Sequence, residues 1–218
     1  MSAASSEKIL IIEDNKALSA MLRGLVLHYT DFTVDVAVSL QDCRNYLQQA
    51  DVSYAVAIAD LNLPDADDGE VVELLNQKHL PTIVLTGSYS QSLRDQVSHY
   101  DIIDYVIKDS VASYEYIISL IKRVIKNRHT RVLVVDDSPA QRKLLAAFMR
   151  LQLFKVVEAE NGLEALAKLR EHDDIKLILT DYHMPQMDGF ELTGSIRKLY
   201  PRERYAIIGL SGKGEANL

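Results

Sequence analysis

Val132-Leu133-Val134-Val135-Asp136-Asp137-Ser138-Pro139 is the stretch that decides the fold. Four apolar residues run without alternation straight into two carboxylates. Such a run is a strand buried on both faces, with its acids at the C-terminal end. The pattern occurs earlier as Ile9-Leu10-Ile11-Ile12 followed by Glu13-Asp14. Each copy has a companion: Ala55-Val56-Ala57-Ile58-Ala59 runs into Asp60, and Leu177-Ile178-Leu179-Thr180 into Asp181. In a parallel α/β sheet, ligands bind at the carboxyl ends of strands. Three carboxylates at that edge suit a hard cation such as Mg²⁺. They also leave one aspartate able to accept a phosphoryl group.

Outward from these strands, strand and helix alternate twice. In the first half a helix is predicted from about Lys16 to Tyr29, with Asn15 as N-cap and an apolar stripe of Leu18, Met21, Leu22, Leu25 and Val26. A strand at Thr33–Ala37 and a helix near Leu40–Gln49 precede the strand that ends at Asp60. Pro64 and Gly69 mark a loop, then come a helix near Val71–Gln77, a strand at Thr82–Leu85 and a weaker helix near Gln91–Ser98. The strand Ile103–Ile107 ends at Lys108, and a strong helix carrying Ile117, Ile118, Ile121, Val124 and Ile125 on one face closes the half.

Residues 127–131 are all the linker there is, without glycine or proline, so the two halves are not expected to tumble independently. In the second half Ser138-Pro139 is an N-cap and first helical residue, and Leu144, Leu145, Phe148 and Met149 supply the apolar face. A strand at Lys155–Glu158, helices from Leu163 and Phe190, and strands to Asp181 and at Ala206–Leu210 follow. By comparison with the first half, the second is expected to lack a final helix–strand–helix. The domains are accordingly placed at 1–129 and 130–218.

The chain has 218 residues, 48% of them hydrophobic, which suits one large globular domain or two ordinary ones. Nothing is apolar over a membrane-spanning length, and Met1-Ser2-Ala3-Ala4-Ser5-Ser6 has no basic or apolar region of a signal peptide. One cysteine, Cys43, excludes an intrachain disulfide and fits a reducing compartment, with a packing role expected for it. A cytoplasmic location is therefore expected. The net charge of -7 falls wholly on the first half, and no basic stripe favours nucleic acid.

Together these residues resemble tandem receiver domains of two-component response regulators. In the second unit the resemblance rests on Asp136-Asp137-Ser138, Asn161-Gly162, and Asp181-Tyr182-His183-Met184-Pro185 through Asp188-Gly189. In the first it rests on Glu13-Asp14, Asp60-Leu61-Asn62-Leu63-Pro64, Asp68-Gly69, Thr86, Tyr105 and Lys108. The resemblance implies an α/β, flavodoxin-like fold for each unit: a parallel five-stranded sheet in order 2-1-3-4-5, the second incomplete at its C-terminal end. It also implies roles. Asp60 and Asp181 would be the phosphoacceptors. Glu13 with Asp14, and Asp136 with Asp137, would hold Mg²⁺ beside them, helped by the carbonyls of Asn62 and His183. Thr86 and Ser211 would bond the phosphoryl group, Lys108 would pair with it, and Tyr105 would be the aromatic switch. The donor would be a histidine kinase or a histidine phosphotransfer protein.

Three departures stand out. The first unit has one more residue between Pro64 and Gly69 than the second has in its matching loop, and Asp109 stands where the family usually has proline. The second unit has no lysine at the expected place, since Lys213 follows Ser211 too closely. Family analogy suggests a diguanylate cyclase output, with a DNA-binding output as rival. The alternative in another class is a docking or dimerisation module that is not phosphorylated. A haloacid-dehalogenase-like phosphatase is disfavoured, because it wants a second aspartate where Asn62 and His183 stand. A chain ending at Leu218 is expected to dimerise, swap or partly unfold through the open edge of Ala206–Leu210.

Overall fold

The computed structural model describes residues 7–67, 69–87 and 99–211. They form two compact units, Met1–Arg123 and Val124–Leu218. The helix predicted near Gln91–Ser98, together with Asp68 and Lys213, lies outside the described residues.

The first unit runs β1 (Lys8–Ile12), α1 (Lys16–Tyr29), β2 (Thr33–Ala37), α2 (Leu40–Leu47), β3 (Tyr54–Asp60), α3 (Glu70–Gln77), β4 (Thr82–Thr86), β5 (Ile102–Ile107) and α4 (Val111–Asn127), whose last residues enter the second unit. Its five strands pair in the order β2-β1-β3-β4-β5, all parallel. Ile9 to Ile12 and Ala55 to Ala59 have no exposed surface. That is why these strands carry no polar alternation: each face meets a helix layer, and each large apolar side chain gains about 1.5–3 kcal/mol by burial. Cys43 is fully buried in this core, where burial pushes its thiol up to about 11 and leaves it inert. At the opposite edge from the acids, the Lys8 ammonium and the Tyr54 hydroxyl both bond the Asp35 carboxylate, at 3.1 and 2.7 Å. This cross-strand knot helps fix the register of β1, β2 and β3.

The second unit continues with β6 (Arg131–Val135), α5 (Pro139–Leu151), β7 (Lys155–Ala159), α6 (Gly162–Glu171), β8 (Ile175–Asp181), α7 (Gly189–Leu199) and β9 (Ala206–Leu210). Its described sheet has four parallel strands in the order β7-β6-β8-β9, the first sheet without its last strand.

The Asn15 side chain accepts from the Ala17 and Leu18 N–H groups, as expected of an N-cap. Asn161, not read as a cap from the sequence, accepts from the Glu164 N–H in the same way. Ser138 stands at the N-cap of α5, but its hydroxyl makes no cap bond. The predicted helix faces need correction at three positions. Met21, Leu144 and Phe148 are exposed, the last two by more than half. Tertiary packing instead turns Ser19 and Ala146 inward, since small residues let a helix lie close to the sheet.

Candidate functional site

Parallel pairing sets the site. Ile12 lies opposite Ala59, Asp60 opposite Leu85, and Thr86 opposite Ile107. The residues at the ends of β1, β3, β4 and β5 therefore arrive at one edge. Glu13, Asp60 and Thr86 are at most 2% exposed, whereas Asp14 is open to solvent. One carboxylate oxygen from each of Glu13, Asp14 and Asp60 lies within 4.8 Å of the others, the one such set among the described residues.

Lys108 spans two of these acids. Its ammonium donates to Asp60 Oδ2 at 2.6 Å and to Glu13 Oε2 at 3.1 Å. Burial pushes the Glu13 carboxyl above its ordinary range, and the Asp60 charge adds to that, with Lys108 opposing both. Burial works against the Lys108 ammonium as well, but its bonds to Asp60 and Glu13 outweigh that and raise its pKa. One ammonium among three acids leaves an excess of negative charge in a partly dehydrated place. An all-oxygen donor set of this kind fits a hard divalent cation. The Asn62 N–H donates to Asp60 Oδ1 at 3.2 Å, so the loop after β3 begins on this carboxylate. Tyr105 packs its ring against the core, and its hydroxyl is buried with no hydrogen-bond partner among the described residues.

The second edge is assembled differently. Val135 lies opposite Thr180, and Asp181 opposite Leu210, so Asp136, Asp181 and Ser211 follow the same plan. Asp136 is buried, but Asp181 is half-exposed and Ser211 is exposed. Burial raises the Asp136 carboxyl, against the Ser138 N–H that bonds its Oδ1 at 2.8 Å. No lysine or arginine pairs with Asp181 among the described residues. Asn62 and His183 both have exposed side chains.

Two residues near these edges escaped the sequence patterns. Arg142 donates to the Asp136 carbonyl oxygen at 2.6 Å and lies 3.8 Å from Glu158. Its signal was a charge at i−3 and i−7 from the inward Leu145 and Met149, a position that demands a partner. Asp65 accepts from the Leu40 and Gln41 N–H groups at 2.7 and 3.0 Å. No periodicity marks an acid in a loop.

Among the described residues no helix is long and apolar enough to cross a membrane. The response regulator receiver domain family matches residues 9–118 and again 132–218. A chemotaxis protein CheY homolog of Campylobacter jejuni is 38% identical over 85 residues, which are 38% of this chain and 65% of that protein's own length. Sensor protein EvgS of Escherichia coli is 40% identical over 87 residues, 39% of this chain and 7% of EvgS. Two solved structures described as two-component system response regulator/GGDEF domain proteins are each 39% identical, with TM-scores of 0.88 and 0.87, and cover 97% of this chain and 85% of theirs. With both matched segments lying on the two acid-edged sheets, the chain belongs to the response regulator receiver domain family, which it carries twice.

Proposed function

We propose that the first unit is a phosphoryl acceptor of a two-component system, with Asp60 as the residue that takes the group. The observation that carries this is the meeting of Glu13, Asp14 and Asp60 within 4.8 Å, with Lys108 2.6 Å from Asp60. The donor is the phosphohistidine of a histidine kinase or phosphotransfer protein. An Asp60 carboxylate oxygen forms the new O–P bond as the donor's P–N bond breaks, and the freed imidazole takes up a proton. The nucleophile must be ionised for this, and the Lys108 ammonium stands 2.6 Å from its Oδ2, where it can pair with the incoming phosphoryl oxygens. Glu13, Asp14, Asp60 and the Asn62 carbonyl would hold Mg²⁺. When bound, Mg²⁺ offsets the repulsion between the carboxylates and the incoming phosphoryl oxygens.

Thr86, at the end of β4 beside Lys108, is the hydroxyl that meets the phosphoryl group. The Lys108 N–H donates to the Thr86 carbonyl oxygen at 2.8 Å, which fixes the two side by side. The Tyr105 hydroxyl is buried without a hydrogen-bond partner among the described residues, a fitting property for a side chain with two positions. The output so controlled is a diguanylate cyclase, which the likeness to response regulator/GGDEF proteins supports.

For the second unit a docking or dimerisation role is the second reading. It is favoured by the partial exposure of Asp181 and the lack of a paired cation there among the described residues. Incubating the intact chain with Mg²⁺ and a small phosphodonor, followed by mass spectrometry of its peptides, tests both. Label is expected at Asp60 and to a lesser extent at Asp181. Label absent from Asp60 but present elsewhere in the first unit refutes the assignment.

A further inference from the structure

We propose that Asp65 is a positioning residue of the first site: by gripping the start of α2 it holds the loop that carries Asn62 against Asp60. The inference rests on Asp60 being a Mg²⁺-assisted phosphoacceptor.

The chain of contacts is short. The Asn62 N–H donates to Asp60 Oδ1 at 3.2 Å. Three residues on, both oxygens of Asp65 are engaged, Oδ1 by the Leu40 N–H at 2.7 Å and Oδ2 by the Gln41 N–H at 3.0 Å. These two N–H groups open α2 and lack helical partners. A two-point, charge-assisted grip fixes direction as well as distance. The far end of the loop is tied to the same helix, since Arg44 pairs with Glu70 at 3.0 Å. The loop after Asn62 is thus fastened to α2 at both ends.

The helix has its own cap. The Ser39 hydroxyl accepts from the Asp42 N–H at 3.1 Å. Asp65, 25 residues away in sequence from Leu40, adds a second cap from outside the helix. Asp65 is exposed, so water screens its bonds and they contribute little to global stability. What they govern is the shape of the loop. The second unit fastens the same joint by other means: Met187 covers Gly162 at the start of α6, where a Cβ would stand 2.6 Å from its Cγ. There Gln186, one residue after Pro185 as Asp65 is after Pro64, takes a φ of 69° and makes no such grip. Asp65 makes its grip without a positive φ.

Mg²⁺ titration of the nitrogen-labelled intact chain, followed at the Asn62 amide, tests this. Asp65→Ala is expected to weaken Mg²⁺ binding at the first site about tenfold, as loss of an outer-sphere positioning contact does. Its thermal midpoint should hold, and amide exchange at Leu40 and Gln41 should quicken. Asp65→Asn, which keeps one oxygen acceptor, should restore most of the affinity. Ser39→Ala is the control: it removes the helix's own cap and should lower the midpoint while leaving Mg²⁺ affinity unchanged. Wild-type affinity in Asp65→Ala would overturn the proposal, as would an equal loss of affinity in Ser39→Ala. Failure of the unaltered chain to bind Mg²⁺ would instead overturn the reading of the site, and this inference with it.

Discussion

The two acid edges share a plan and differ in closure. In the first, a buried Glu13 and Asp60 converge on Lys108 from the end of β5. In the second, Asp136 is buried but Asp181 stays half-exposed, and the described sheet ends at β9. Strand pairing alone brings the carboxylates to one edge in both. Holding them close requires an opposing charge, and the first unit takes it from Lys108, directly after β5, which has no counterpart among the described residues of the second. Like charges in a partly dry place separate, take up protons or find a cation.

The comparison breaks most sharply at the two aspartates proposed as acceptors. Asp60→Asn is expected to abolish phosphoryl incorporation in the first unit, while Asp181→Asn leaves most of the total label, read by intact-protein mass spectrometry. Equal losses from the two variants would mean that the closed and open edges are functionally alike.

Next in size is the lysine. Lys108→Met leaves Glu13 and Asp60 facing each other without a cation. In chelator this is expected to cost about 3 kcal/mol in denaturant unfolding of the first unit. Millimolar Mg²⁺ should recover much of it, because the metal then supplies the missing charge. Destabilisation that Mg²⁺ does not touch would show that Lys108 serves packing alone.

A smaller effect separates two glycines that look equivalent in sequence. Gly69 has a φ of 86° and stands at the N-cap of α3 without a side-chain cap bond. Gly189 begins α7 behind the Asp188–Glu191 capping box, where a Cβ would overlap the Asp181 carbonyl oxygen. Gly69→Ala is expected to cost about 1–2 kcal/mol through backbone conformation. Gly189→Ala should cost about 2–3 kcal/mol through overpacking, and should also disturb Asp181. Gly69→Asn should recover part of its loss, because asparagine tolerates the left-handed region, and Gly189→Asn should recover none. Thermal unfolding of the four variants makes the test.

The smallest effect is on pH. The Gln41 and Leu40 N–H groups hold the Asp65 carboxyl below the usual carboxylate range. A carboxyl depressed in the folded state stabilises at pH above its unfolded value, and that contribution fades as pH falls through the lower folded value. Amide exchange at Leu40 and Gln41 should therefore quicken below the ordinary aspartate range, while the Glu164 amide at the start of α6, held by the neutral Asn161 side chain, shows no such step. Parallel behaviour of the two joints would remove the distinction drawn between them.

The apolar runs into Glu13, Asp60, Asp136 and Asp181 were legible because a strand buried on both faces needs an unbroken apolar run. Asn15 was legible as a cap because a side-chain oxygen meets N–H groups within its own turn. Met21, Leu144 and Phe148 misled, since periodicity gives the width of an apolar stripe but not which edge of it meets the sheet. The repeat and the acids at the strand ends were thus readable from local patterning, because an unbroken apolar run marks a strand buried on both faces. The strand order 2-1-3-4-5 came only with the resemblance to receiver domains. Tertiary structure alone decided that Lys108 bridges Glu13 and Asp60, that Arg142 turns to the Asp136 carbonyl, and that Asp65 closes on α2. Each of those joins charges or dipoles on separate elements, and only the packed fold sets the distance between them.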